Sequence, residues 1–283
     1  MRSIISLAKI IVFILAVWYL IKYLTLYDIP SQLSKVNPAY LLISMFFSAC
    51  AFLLQAWFLK RASNGGLTIR DSVYVEFYTL ILNLGVASSF FSLPKVAFIN
   101  NKVKNLKESV RLFSLPLLLG TALRVTIIMV AGLFVYFRVL PALVSASIIL
   151  TIFLSVLYGP FRSRLERMTK TPSNTLAELS AVAALNVLCV ALSYYFVITS
   201  LAENPPIPNT IFSEGVGYLT GLLSPMPSGI GVREFALTEL NGVMGITKDV
   251  AFTAAVLHRL ITVAATFAAT LAFYIKLPGC DTA

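Results

Sequence analysis

The segment Pro225-Met226-Pro227-Ser228-Gly229-Ile230-Gly231-Val232-Arg233-Glu234 sets two prolines, two glycines and an adjacent base and acid into apolar sequence. Proline removes a backbone donor and blocks a straight helix. Glycine permits sharp turns and close backbone approach. Within a bilayer such an interruption survives only where protein or a water-filled cavity satisfies the freed N–H and C=O groups. A re-entrant or broken helix lining a site in the membrane is therefore expected here. Two further arginines, Arg124 and Arg259, lie well inside apolar runs, and His258 precedes the second. A charged side chain at the centre of a spanning helix costs about 2.5–3.5 kcal/mol on insertion scales.

Two kinds of chemistry compensate such arginines. Each can pair with a carboxylate, for which Glu76, Glu214, Glu234 and Glu239 are the candidates. Alternatively an arginine left without a carboxylate binds an anion, and the planar guanidinium fork suits phosphate. Both readings stand on the sequence. If residues 232–246 form a half-helix, its N-terminal N–H groups add an anion site, with Arg233 beside it and Glu234 favouring the dipole in the first turn. The candidate head-group residues are thus Arg259, Arg233, Arg124, Gly229, Gly231, Ser228 and His258, with Glu234, Glu214 and Glu76 in ion pairing. His258 is the single histidine, and without a carboxylate cluster no metal site is expected. No cofactor is expected either.

The elements that hold these residues must be membrane helices. The chain is 58% hydrophobic and 12% charged, with mean hydropathy +0.87, where a soluble domain carries about 25% charged residues. The net charge of +10 comes from basic residues in loops beside apolar spans, which the positive-inside rule explains without nucleic acid. Cys50, Cys189 and Cys280 have no C-x-x-C spacing, so no metal knuckle or disulfide framework is indicated.

A span needs about 20 mostly apolar residues. Six segments qualify: 4–21 (a retained first span), 40–59, 112–137, 139–159, 176–200 and 250–275; two more, 73–94 and 211–247, are interrupted. Arg2 and Lys9 place the N-terminus in the cytoplasm, and Lys276 places the C-terminus there. Segment 73–94 has basic residues on both flanks and is expected to enter from the cytoplasm and return to it. Segment 211–247 follows Glu203–Pro208, which has no Lys or Arg, and is expected to enter from outside and return there.

The expected architecture is all-α and polytopic: one integral membrane domain over 1–283, with six spanning helices and two re-entrant hairpins. It reads as an inverted repeat, 40–137 against 176–276. Pro227 follows Pro94 by 133 residues and Arg259 follows Arg124 by 135. Inverted repeats whose broken helices meet near the midplane form a common transporter plan.

Pro227-Ser228-Gly229-Ile230-Gly231-Val232-Arg233-Glu234 resembles the Pro-Gly-Gly-x-Gly-x-Arg-Glu signature of the lysylphosphatidylglycerol synthase transmembrane region family. His258-Arg259 resembles its later Tyr-Arg, and Leu93-Pro94 with Arg124 resemble weaker first-half signals; together these reach from about 40 to 276. Ser228 stands where the family usually has Gly, and Lys95 stands where the first-half loop usually offers Gly and Arg. The resemblance implies a flippase-like helical membrane domain. Its best-known members move aminoacylated phosphatidylglycerol between leaflets and carry a separate soluble synthase domain. The chain ends at Ala283 without that domain, so the implied activity is lipid translocation or binding, not lysyl transfer.

The leading expectation is a flippase or transporter of an anionic lipid in the plasma membrane. The alternative is a non-transporting partner of a cell-envelope synthesis enzyme. A membrane lipid-modifying enzyme is the weakest reading: Ser228 with His258 as base has no supporting motif. No Walker motif points to direct ATP use.

Overall fold

The computed structural model describes residues 29–85, 93–137, 173–201, 203–224 and 229–274. The spans expected at 4–21 and 139–159, and Ser228, lie outside the described residues. Among those described there are nine α-helices and no strand. In chain order these are α1 (Ile29–Ser34), α2 (Pro38–Ala62), α3 (Ile69–Gly85), α4 (Leu93–Val103), α5 (Leu106–Phe137), α6 (Ser173–Ser200), α7 (Ile207–Leu223), α8 (Val232–Val243) and α9 (Lys248–Tyr274).

Local chemistry sets the helix ends. Asn37 accepts the Ala39 N–H, and Pro38 follows it at the first helical position of α2, where a missing N–H costs nothing. Lys60 and Arg61 close the same helix against its negative end. At the start of α3 the Thr68 hydroxyl accepts the Asp71 N–H while Asp71 accepts the Thr68 N–H, a reciprocal cap that satisfies two otherwise orphaned donors. Asn105 accepts the Glu108 N–H at the start of α5.

Four stretches are long and apolar enough to cross a membrane: Pro38–Ala62, Leu106–Gly132, Asn174–Ser200 and Lys248–Tyr274. Pro38–Ala62 and Asn174–Ser200 cover the expected spans 40–59 and 176–200, and the other two overlap most of 112–137 and 250–275. Helices α3 and α7 have 17 residues each, roughly 25 Å at 1.5 Å per residue, short of the ~30 Å hydrocarbon core. Each is followed in the chain by a second short helix, α4 or α8. The order of the described helices therefore repeats: a long helix, a 17-residue helix, a short helix, a long helix. The first interrupted segment differs from expectation in extent, because Pro94 does not end it. Pro94 is the second residue of α4, and proline is tolerated in a first helical turn.

Helices α2 and α6 pack together along their length. Their contact is lined with small hydroxyl residues, Ser44 and Ser48 meeting the Ser193 hydroxyl at 2.9 and 2.7 Å. Asn186 Nδ2 donates to the Ala51 carbonyl at 2.7 Å. Small and hydroxyl residues suit a membrane interface, since helices there associate by close packing and hydrogen bonds. One apolar cluster gathers Phe58, Leu59, Ile99, Leu112 and Leu179; another gathers Tyr194, Ile198, Leu237, Ala251 and Ala254. The long helix of each half packs on the 17-residue helix of the other: α5 on α7, and α9 on α3. The first crossing is close, and a Cβ on Gly215 would come within 2.4 Å of the Ile128 side chain.

Candidate functional site

The crossings leave a cavity of about 380 Å³ lined by residues of α2 through α9. Helical spacing decides what faces it. On α7, Glu214, Tyr218 and Leu222 recur every four residues; on α9, His258, Thr262 and Thr266 do the same; on α5, Pro116, Gly120 and Arg124 do so. Residues four apart share one helix face, so each element turns one stripe to the cavity. Glu76 of α3, Lys95 of α4 and Arg233 of α8 complete its charged lining.

The break between α7 and α8 is a close approach of backbone to backbone. Gly229 (φ +65°) lies against Gly221, and a Cβ at 229 would fall 2.5 Å from the Gly221 Cα. The Gly231 N–H donates to Glu234 Oε2 at 2.7 Å, and Arg259 Nη2 meets Glu234 Oε1 at 2.7 Å. Glu234 thus takes one N–H at the start of α8 for itself and ties α8 to α9. Among the described lining residues Arg259 does not appear; it lies on the Glu234 side.

Arg233 points the other way. Its Nη2 is 3.6 Å from Glu214 Oε1 and 3.4 Å from His258 Nδ1. Guanidinium has donors only, so in this contact His258 Nδ1 is the acceptor. The His258 ring meets Tyr194 edge to face at 5.2 Å, and Asn241 Nδ2 donates to the Tyr194 hydroxyl at 3.0 Å. Glu214 is 1% exposed, so Arg233 is the cation that keeps this carboxylate tolerable in an apolar surrounding.

Arg124 has a different neighbour. Its guanidinium carbon lies 3.7 Å from the centroid of the Tyr218 ring, a cation–π contact between the two halves. Arg124 is 7% exposed, and its Nε has no hydrogen-bond partner. Among the described residues no carboxylate pairs with it. Gly120, one turn earlier, leaves room for the guanidinium, since a Cβ there would stand 3.4 Å from Arg124 Nη1. Glu76, a candidate arginine partner by sequence, pairs instead with Lys95 Nζ at 2.7 Å. Glu239 pairs with Lys248 at 2.7 Å, away from the cavity.

The cavity therefore brings together Arg124, Arg233, Glu214, Glu76 and His258 from the sequence candidates. It adds Lys95 and Tyr218, which the candidate set lacks. A signal for Lys95 was present: an acid and a base stand 19 residues apart in each hairpin, Glu76 with Lys95 and Glu214 with Arg233. Nothing in the sequence marks Tyr218, because a tyrosine in an apolar helix is ordinary.

No curated protein sequence matches the chain. Among protein families, the lysylphosphatidylglycerol synthase TM region matches residues 85–269, a stretch that holds Lys95, Arg124, Glu214 and the whole Gly229–Glu234 turn. The chain, a multi-pass membrane protein, belongs to the lysylphosphatidylglycerol synthase TM region family.

Proposed function

We propose that the protein carries an anionic phospholipid between the leaflets of the cell membrane, with the head-group phosphate in the cavity and the acyl chains in the bilayer. The observation that carries this reading is the charge in the cavity. Among the described lining residues, Lys95, Arg124 and Arg233 face Glu76 and Glu214. Three cations against two carboxylates leave one positive charge unmatched. Buried charge is expensive unless paired, so an anion entering this space gains more than one entering a neutral cavity.

The three cations differ in readiness. Lys95 is in close contact with Glu76, while Arg233 is held at 3.6 Å from Glu214 and Arg124 has an aromatic ring rather than a carboxylate. Arg124 and Arg233 are therefore the first head-group ligands, and their planar donor forks match phosphate oxygens. Family membership supports a lipid-handling role. The repeated element order and the basic flanks of the first hairpin support oppositely oriented halves, as in transporters whose site lies between repeats. Arg259, tied to Glu234, positions the turn that presents Arg233.

The test is leaflet exchange in proteoliposomes with labelled phosphatidylglycerol, phosphatidic acid and phosphatidylcholine. Wild type is expected to exchange the anionic lipids faster than the zwitterionic one. Arg233→Gln and Arg124→Gln are each expected to slow exchange by about tenfold or more, the effect of losing ~1.4 kcal/mol of binding. Folded wild-type protein that exchanges none of them overturns the reading.

A further inference from the structure

The two hairpins match at one acid and one base that line the cavity. Glu214 follows Glu76 by 138 residues, and Arg233 follows Lys95 by 138 residues. Each carboxylate lies mid-way along a 17-residue helix. Each base lies in the first turn of the short helix that follows in the chain. Both pairs line the same cavity. This spacing differs from the 133 residues that separate Pro94 from Pro227, so the prolines are not the equivalent positions; Pro94 is equivalent to Val232.

From this equivalence we infer that Lys95 with Glu76 is a second phosphate-binding station, the counterpart of Arg233 with Glu214, where a phosphate oxyanion displaces the carboxylate from the base. The inference rests on the reading of the cavity as a head-group site. Each station has the same parts: a base that lines the cavity and a carboxylate paired with it, at 2.7 Å for Lys95 and 3.6 Å for Arg233. Lys95 is 6% exposed and Glu76 is 9% exposed, so neither has water to lean on, and separating them without a substitute anion is costly. A phosphate supplies that substitute charge to Lys95, and Arg124, which lines the same cavity without a carboxylate, is the cation left to offset the displaced Glu76.

The two stations stand in different states. Lys95 and Glu76 touch at 2.7 Å, a closed pair; Arg233 and Glu214 stand at 3.6 Å, with Arg233 also shared by His258. The Lys95 station is the more tightly covered of the two. Without Lys95, the cavity would offer a bound phosphate only Arg124 and Arg233. Two stations on the two broken hairpins, with Arg124 in the same cavity, give the phosphate a positive partner in each half.

A purely structural pair makes the opposite prediction. Replacing a buried ion pair with apolar residues of similar volume is often neutral or stabilising. The double variant Glu76→Met/Lys95→Met removes the station and leaves no orphaned charge. It is expected to keep its detergent unfolding temperature and to exchange labelled phosphatidylglycerol about tenfold more slowly than wild type. Exchange at the wild-type rate overturns the second station. Glu76→Gln gives an independent readout, because it uncovers Lys95 without removing it. Binding of phosphatidylglycerol to the purified protein is expected to tighten; unchanged or weaker binding overturns the inference. If Arg124→Gln and Arg233→Gln slow exchange while the double Met variant does not, only the second station falls. If wild type exchanges no lipid, the transport reading falls and takes the station with it.

Discussion

Arg124 of the first half rests its guanidinium on the ring of Tyr218 of the second, 3.7 Å from the ring centroid. The contact holds a cation in the cavity without neutralising it. A carboxylate in place of the ring would cancel the charge that an anion needs. Tyr218→Phe is expected to keep exchange within about twofold of wild type, because the face of the ring is retained. Tyr218→Ala is expected to lose about 0.5–2 kcal/mol of that contact and to lower both the unfolding temperature and the exchange rate. Equal loss in both variants would mean that the hydroxyl, not the ring, does the holding.

Arg259 and Glu234 form the tie between α8 and α9. Arg259→Ala leaves Glu234 as a buried carboxylate without its guanidinium, a type of change that costs about 3–5 kcal/mol. The double variant Arg259→Met/Glu234→Leu is expected to unfold at a higher temperature than Arg259→Ala, although it removes more polar groups. Thermal unfolding in detergent compares them directly, and a double variant less stable than the single would count against the tie.

Gly229 occupies a left-handed conformation against Gly221. Gly229→Ala adds the roughly 1–2 kcal/mol penalty of a Cβ in that conformation and a backbone overlap that no rotamer relieves. The expected result is a lower unfolding temperature and loss of exchange. Gly245→Ala is the control: that residue also has positive φ, but a Cβ there meets nothing within 4 Å, so exchange is expected to persist.

Asp71 supplies a pH dependence outside the spanning helices. Burial pushes its carboxyl up, but hydrogen bonds from Lys102 and Thr68 outweigh burial and hold it below the ordinary 3.8. A depressed folded value favours the folded form above pH 3.8, and that contribution is lost as the pH falls through the lower folded value. Amide protection at the start of α3, corrected for the intrinsic exchange rate at each pH, is therefore expected to fall below about pH 3.8 in wild type. Asp71→Asn is expected to lack that acid-dependent fall.

Oppositely oriented halves predict opposite labelling. Cysteines placed at the exposed positions 107, after α4, and 247, after α8, are expected to react with a water-soluble reagent from opposite sides of the membrane. Labelling of both from one side would remove the inverted arrangement and leave the repeat as two parallel copies.

The sequence by itself determined the class of the protein and most of its helices. Hydrophobic length is a local property, and a 20-residue apolar run reads as a span whatever surrounds it. The turn at Gly229–Glu234 was equally legible, because prolines and glycines in an apolar run have few uses. Only the tertiary structure decided how the charges are shared. Four carboxylates and several bases allow many pairings, and side-chain direction chose Glu234 for Arg259, Lys95 for Glu76 and an aromatic ring for Arg124. The register of the two halves was decided in the same way. Sequence proximity favoured aligning the prolines, but a proline serves a break and a first helical turn alike, whereas an acid and a base 19 residues apart meet in space at the same register in each half, Glu76 with Lys95 and Glu214 with Arg233.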